Sequence, residues 1–141
     1  MYHLFGTIEV QFVINLVLCA ILGYAIGIER ESRGKDAGIS THIFVIAGAM
    51  LFTFLSGIVD PASKSRIAAQ IVSGIGFLGA GLILKEGASV KNLTTAASIW
   101  FAGALGMALG YGFWLVAVVG TFVAILVPRI PHINKKPHTD A

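Results

Sequence analysis

Hydrophobic positions along the chain fall in long blocks, and the charges fall between them. One apolar run covers Val10 to Ile28 and is followed by "ERESRGKD", Glu29 to Asp36. A second extends from about Thr41 to Val59 and ends at "DPASKSR", Asp60 to Arg66. A third covers Ile67 to Leu84 and ends at "KEGASVKN", Lys85 to Asn92, and a last stretch runs from Leu93 to Val127. A helix needs roughly 20 apolar residues to cross the hydrocarbon of a bilayer. The first three runs fit that length. The last is too long for one span and too short for two comfortable ones. Its one natural break is "LGYGF", Leu109 to Phe113, where paired glycines allow a tight turn. The pattern therefore predicts an all-α integral membrane protein, a compact bundle of about five transmembrane helices with the last two short. A four-span arrangement with one long tilted helix is the alternative.

Composition agrees. The chain has 141 residues, 56% hydrophobic and 12% charged, whereas soluble domains carry about 25% charged residues. The start, "MYHLFGTIEV", has no basic segment and no cleavage signal, so the first run is expected to stay in the mature protein. The single cysteine, Cys19, lies in an apolar run and does not report a redox compartment.

Charge asymmetry favours five spans. Arg30, Arg33 and Lys35 lie in the first connection, Lys64 and Arg66 in the second, Lys85 and Lys91 in the third. Arg129, Lys135 and Lys136 follow the last run, and the fourth connection has no basic residue. Five spans with the N-terminus outside put eight basic residues in the cytoplasm against two outside, as membrane insertion prefers; four spans give five against five. Residues 1–128 then form the transmembrane domain and 129–141 a short polar cytoplasmic tail. The net charge of +3 is accounted for by orientation and contact with anionic lipid, and calls for no nucleic-acid partner.

"SGIGFLGAGLIL", Ser73 to Leu84, contains GxGxxG at Gly74, Gly76 and Gly79. A dinucleotide site needs a strand before this motif and an acidic residue about 20 residues on. Here "RIAAQIV" leads in without a break and "TTAASIW" has no acid, so no nucleotide is expected. Packing explains the glycines better. At 100° per residue, Gly74 and Gly81 share one helix face while Gly76 and Gly79 share the opposite one. Two such faces allow close helix approach on both sides, which predicts a central third helix. Gly23 and Gly27 follow Cys19 by steps of four on the first helix, and Gly106 and Gly110 follow Ala102 on the fourth. The same faces suit a homo-oligomer, a dimer first.

Two stretches, "GIERESRGKDAGISTHIFVIAGAMLFT" (Gly27 to Thr53) and "RIAAQIVSGIGFLGAGLILKEGASVKNLTTAASIW" (Arg66 to Trp100), resemble the MgtC/SapB family of bacterial inner-membrane proteins. The resemblance covers nearly all of the apolar part. It implies the five-helix arrangement, location in the inner membrane, and a link to survival in low magnesium and, in some pathogens, to growth inside host cells. Many members carry a soluble C-terminal domain. "PRIPHINKKPHTDA" is too short and too rich in proline and polar residues to form one. Members commonly have a basic residue before the Thr-His or Thr-Asn pair of the first connection, where this chain has Ser40.

The polar candidates sit at helix ends. Ionisable groups in a membrane are costly and are functional candidates by default. Glu29 and Arg30, at the end of the first helix, fit an interfacial ion pair or a functional site, and the family pattern favours function. Asp36 or Ser40 can cap the second helix. His42, one turn in, is a structural hydrogen-bonding residue or a titrating one. Asn92 can cap the fourth helix, and Thr94 and Thr95 can bond backbone carbonyls. Asp60 with Pro61 reads as the cap and first turn of the third helix. Asn15, Gln70 and Ser73 are the polar groups expected inside the bundle.

Magnesium asks for oxygen ligands in octahedral geometry. Glu29, Glu31, Asp36 and Glu86 lie on the expected cytoplasmic side, Glu9 and Asp60 on the outer side, and none in mid-membrane. Mg2+ is the ion that the family resemblance implies, and no metal site is assigned to these residues. A regulator that acts through other inner-membrane proteins or through copies of itself is the leading expectation. A small channel or transporter for magnesium or another cation, with Glu29 at its mouth and Asn15, Gln70 and Ser73 along its path, is the alternative. No catalytic constellation is present in the sequence, so no enzyme is expected.

Overall fold

A computed structural model of the chain describes residues 7–86 and 89–131. It has five helices: α1 Thr7–Ser32, α2 Ile39–Val59, α3 Lys64–Leu82, α4 Leu93–Gly110 and α5 Trp114–Leu126. A 3₁₀ turn, Val127–Arg129, prolongs α5. The first four helices are long and apolar enough to cross a membrane, and Trp114–Arg129 is a shorter apolar helix. The break between α4 and α5 falls at Tyr111 to Phe113, where Gly112 adopts φ +82°. A residue with a Cβ resists that left-handed conformation.

The middle of the bundle is α2 against α4, with α1 on α2 and α5 across α4 and α1. Cys19, Ile26, Ile46, Met50, Ala102, Leu105 and Leu109 fill the space between them. Close approach is what glycine provides here. A Cβ on Gly23 would lie 2.7 Å from the Cα of Ile43, and one on Gly110 would lie 2.7 Å from the Met50 carbonyl. A Cβ on Gly106 would come within 2.8 Å of the Ala49 methyl, and Gly27 is equally tight against Ile39. Small residues let helices associate in lipid, where the hydrophobic effect between them is absent.

The expected central position of the third helix is corrected. α3 lies at the side of the bundle, held chiefly by α4 and less by α2. Ile71 and Ile75 turn inward, with Ile75 packed against Gly103 of α4. The glycines mostly face out: a Cβ on Gly74, Gly76 or Gly81 would meet nothing within 4 Å, and only Gly79 has a neighbour, the Ala96 carbonyl at 3.5 Å. The bulky side chains, not the gaps between them, seat this helix.

Two helix ends also differ from expectation. Asp60 closes α2 instead of opening α3: its N–H donates to the Ser56 carbonyl at 3.0 Å. Pro61 follows in a turn and Ser63 takes the N-cap position of α3. Neither Asp36 nor Ser40 caps α2. Gly38 holds the cap position, and the Ile39 N–H donates to Glu31 Oε1 at 2.9 Å from eight residues upstream. The third connection forms a short hairpin, β1 Leu84–Glu86 paired antiparallel with β2 Ser89–Lys91. The polar tail beyond residue 131 lies outside the described residues.

Candidate functional site

The end of α1 meets the starts of α2 and α4, and five polar side chains converge there. Glu29 and Arg30 come from the last turns of α1, His42 from the first turn of α2, and Thr95 and Ser98 from the first turns of α4. Glu29, Arg30, His42 and Thr95 are buried.

Arg30 Nη2 donates to Thr95 Oγ1 at 3.2 Å, across 65 residues of chain. Ser98 Oγ donates to the Thr95 carbonyl at 2.7 Å and lies 3.3 Å from His42 Nε2. The other ring nitrogen, Nδ1, lies 2.8 Å from the Gly38 carbonyl. Ser98 has one hydroxyl proton, and the shorter contact gives it to the carbonyl. His42 is thereby fixed between the α1–α2 connection and α4.

Glu29 is held from the other side. Arg33 Nη1 donates to Glu29 Oε1 at 3.3 Å, and Arg129 Nε lies 3.9 Å from the same oxygen. Arg33 also donates to the Pro128 carbonyl, which ties the end of α5 to the end of α1. Of the four buried side-chain atoms without a hydrogen-bond partner among the described residues, two are in this cluster, Glu29 Oε2 and Arg30 Nε; the others are Asn15 Nδ2 and Thr53 Oγ1. A buried polar atom without a partner costs about 1–3 kcal/mol and marks a place for water, an ion or a movement.

The remaining candidates divide. Asn92 takes the N-cap position of α4 at φ +65°, without a side-chain cap bond. Its amide instead donates to Asp36 Oδ2 at 2.6 Å and joins the first connection to the hairpin. Thr94 is exposed beside it. Asn15, Gln70 and Ser73 do not form a line through the bundle. Asn15 is buried between α1 and α5 and accepts from Trp114 Nε1 at 2.9 Å, with its own Nδ2 unpartnered. Gln70 and Ser73 are exposed on α3, for the reason that turns its glycines outward. Among the described residues no group of His, Cys, Asp or Glu has the arrangement to hold a metal ion. Ser98 and Trp114 were missed by sequence reasoning, because each gains its role from a partner far away in the chain.

Comparison with known proteins gives a consistent set of relatives. The model of the MgtC family matches residues 16–133. A protein of Escherichia coli (strain K12) named "Putative magnesium transporter YhiD" is 43% identical over 143 residues, covering 91% of this chain and 66% of its own length. "Protein MgtC" of Salmonella typhimurium is 43% identical over 114 residues, covering 81% of this chain and 49% of its own length. An uncharacterized protein of Synechocystis sp. is 41% identical over 133 residues, covering 90% of this chain and 57% of its own length. The chain thus spans between about half and two thirds of these relatives. No solved structure matches it.

Proposed function

Because the chain belongs to the MgtC family, we propose that it serves magnesium homeostasis, or adaptation to low magnesium, from a bacterial inner membrane as a regulator that acts through contacts with membrane proteins. The observation that carries this reading is the packed apolar layer across the middle of the bundle. Ile26, Ile46, Met50, Ile99 and Leu105 close it, with Ile46 and Met50 wholly inaccessible. Most buried polar groups lie toward the two ends, Glu29, Arg30, His42 and Thr95 with half-buried Ser98 at one and Asn15, Thr53 and Ser56 at the other, while the Thr121 hydroxyl, in mid-α5, donates to the Ala117 carbonyl at 2.9 Å. A hydrated divalent cation keeps several waters, and this layer offers it no polar replacement. The end that carries Glu29 faces the cytoplasm and the N-terminus lies outside, in keeping with the distribution of basic residues. The role is not enzymatic.

A second reading, carriage of magnesium, draws on the name of the Escherichia coli relative and on the unpartnered Glu29 Oε2. The two separate in sealed vesicles carrying the purified protein. The regulator reading expects no magnesium uptake above empty vesicles, by the wild type or by Glu29→Gln. Uptake by the wild type that Glu29→Gln abolishes would overturn it in favour of transport.

A further inference from the structure

Along the outward side of α3, a groove of about 490 Å³ runs between α3 and α2. Phe44, Gly48 and Phe52 of α2 and Gln70, Gly74 and Leu78 of α3 line it. An apolar groove in lipid has no intrinsic need of a protein cover, since acyl chains are as apolar as leucine. Three features of this one ask for more. Gly48 and Gly74 leave its floor open, with nothing within 4 Å of where a Cβ would stand on either. Gln70 places an amide, both donor and acceptor, on this otherwise apolar surface. Phe77, on the same face of α3 as Gln70 and Gly74, is 80% exposed and stands beside the groove as a ridge.

We propose that this groove is the contact between two copies of the chain, formed by α3 against α3 with Gln70 paired to Gln70 of the second copy. Both copies insert with the same orientation, so the twofold axis stands along the membrane normal and each α3 residue meets its counterpart at the same depth. An amide is self-complementary across such an axis: each Gln70 donates to and accepts from the other. An acyl chain supplies neither bond. The hole and the knob also lie on one molecule, Gly74 with Gly48 and Phe77, as a twofold contact between identical surfaces requires. This accounts for Gly74 and Gly81, the outward glycines on the Gln70 face, which do not seat α3 within one copy. It holds whichever reading of the magnesium role stands.

The test is disulfide trapping in native membranes. Cys19, the only cysteine, is buried and wholly inaccessible, so an introduced cysteine reports alone. Gly81→Cys, on the Gln70 face of α3 where a Cβ meets nothing within 4 Å, keeps the Gln70 amide and is expected to give a dimer band on oxidation, and adding Gly74→Leu is expected to abolish it by filling the hole. Leu115→Cys, 77% exposed on α5, is the collision control and is expected to stay monomeric. No dimer from Gly81→Cys, an equal band from Leu115→Cys, or a band of another size would overturn the proposal. Sedimentation of the purified protein gives a second reading without cysteines. Wild type is expected to be dimeric and Gln70→Leu to shift toward monomer with its helical content intact. A monomeric wild type, or a Gln70→Leu dimer of unchanged strength, would also overturn it.

Discussion

At the level of single residues, the bundle is fastened by a few long-range polar contacts in low-dielectric surroundings. Among the described residues, Thr95 alone accepts a hydrogen bond from the Arg30 guanidinium, and Arg30 Nε has no partner. Thr95→Val keeps the shape and removes the acceptor, so it should destabilise the protein by about 1–3 kcal/mol. Thr95→Ser should restore most of that, as read from thermal unfolding in detergent. A valine variant as stable as wild type would show that Arg30 is satisfied elsewhere. Asn15 with Trp114 repeats the case at the other end. Trp114→Phe preserves most of the ring and takes away the one bond Asn15 makes, at an expected cost of about 1–3 kcal/mol. Glu29, Arg30, His42 and Thr95 were legible in the sequence as polar groups at the edges of apolar runs. Their pairing was not, because Arg30 and Thr95 share no local spacing that a pattern can expose.

At the level of helices, the sequence shows where small residues recur but not which faces are covered. Gly106 with Gly110 and Gly74 with Gly81 look alike as written. The first pair lies against α2 and the second faces outward. Overfilling a packed contact costs about 1–3 kcal/mol or more, so Gly106→Leu should unfold the bundle or sharply lower its yield. Gly81→Leu should leave the fold of one copy intact, and equal loss from both variants would contradict the peripheral position of α3. Connections follow the same rule of partial legibility. "LGYGF" was readable as a turn because its glycines permit left-handed backbone, and Gly112→Ala should cost about 1–2 kcal/mol there. The hairpin at residues 84–91 was not readable, since three-residue strands are too short to show an alternating pattern. The cap of α2 escaped for another reason: it comes from Glu31, outside the local window in which caps are sought.

For the whole molecule, four apolar runs, the last divided at "LGYGF", were legible because lipid enforces long uninterrupted helices, a demand no soluble core makes so strictly. The short α5 is the point at which length alone leaves the topology open. Its contacts supply what its length does not. Trp114 at its start bonds Asn15 of α1, and Arg129 just past its end reaches Glu29 of the same helix. Those two α1 residues are separated by about 21 Å of helix at 1.5 Å per residue. α5 therefore runs alongside the Asn15–Glu29 part of α1 and in the same direction, ending beside the buried Glu29 cluster. A helix this short matches the bilayer by local thinning or by polar groups reaching toward the interface. The basic residues at this end, Arg30, Arg33, Lys35, Lys91 and Arg129, carry the prediction that it faces the cytoplasm. Single cysteines settle the prediction in intact cells. Lys35→Cys should resist a membrane-impermeant thiol reagent until the cells are opened, whereas Ala62→Cys, in the turn at the opposite end, should react at once. Reaction of both from outside would place an even number of crossings between them. The same comparison across α5 tests the fifth span: Phe113→Cys, 61% exposed, should react at once and Ile130→Cys, 65% exposed, only after opening, and reaction of both from outside would make α5 a re-entrant segment.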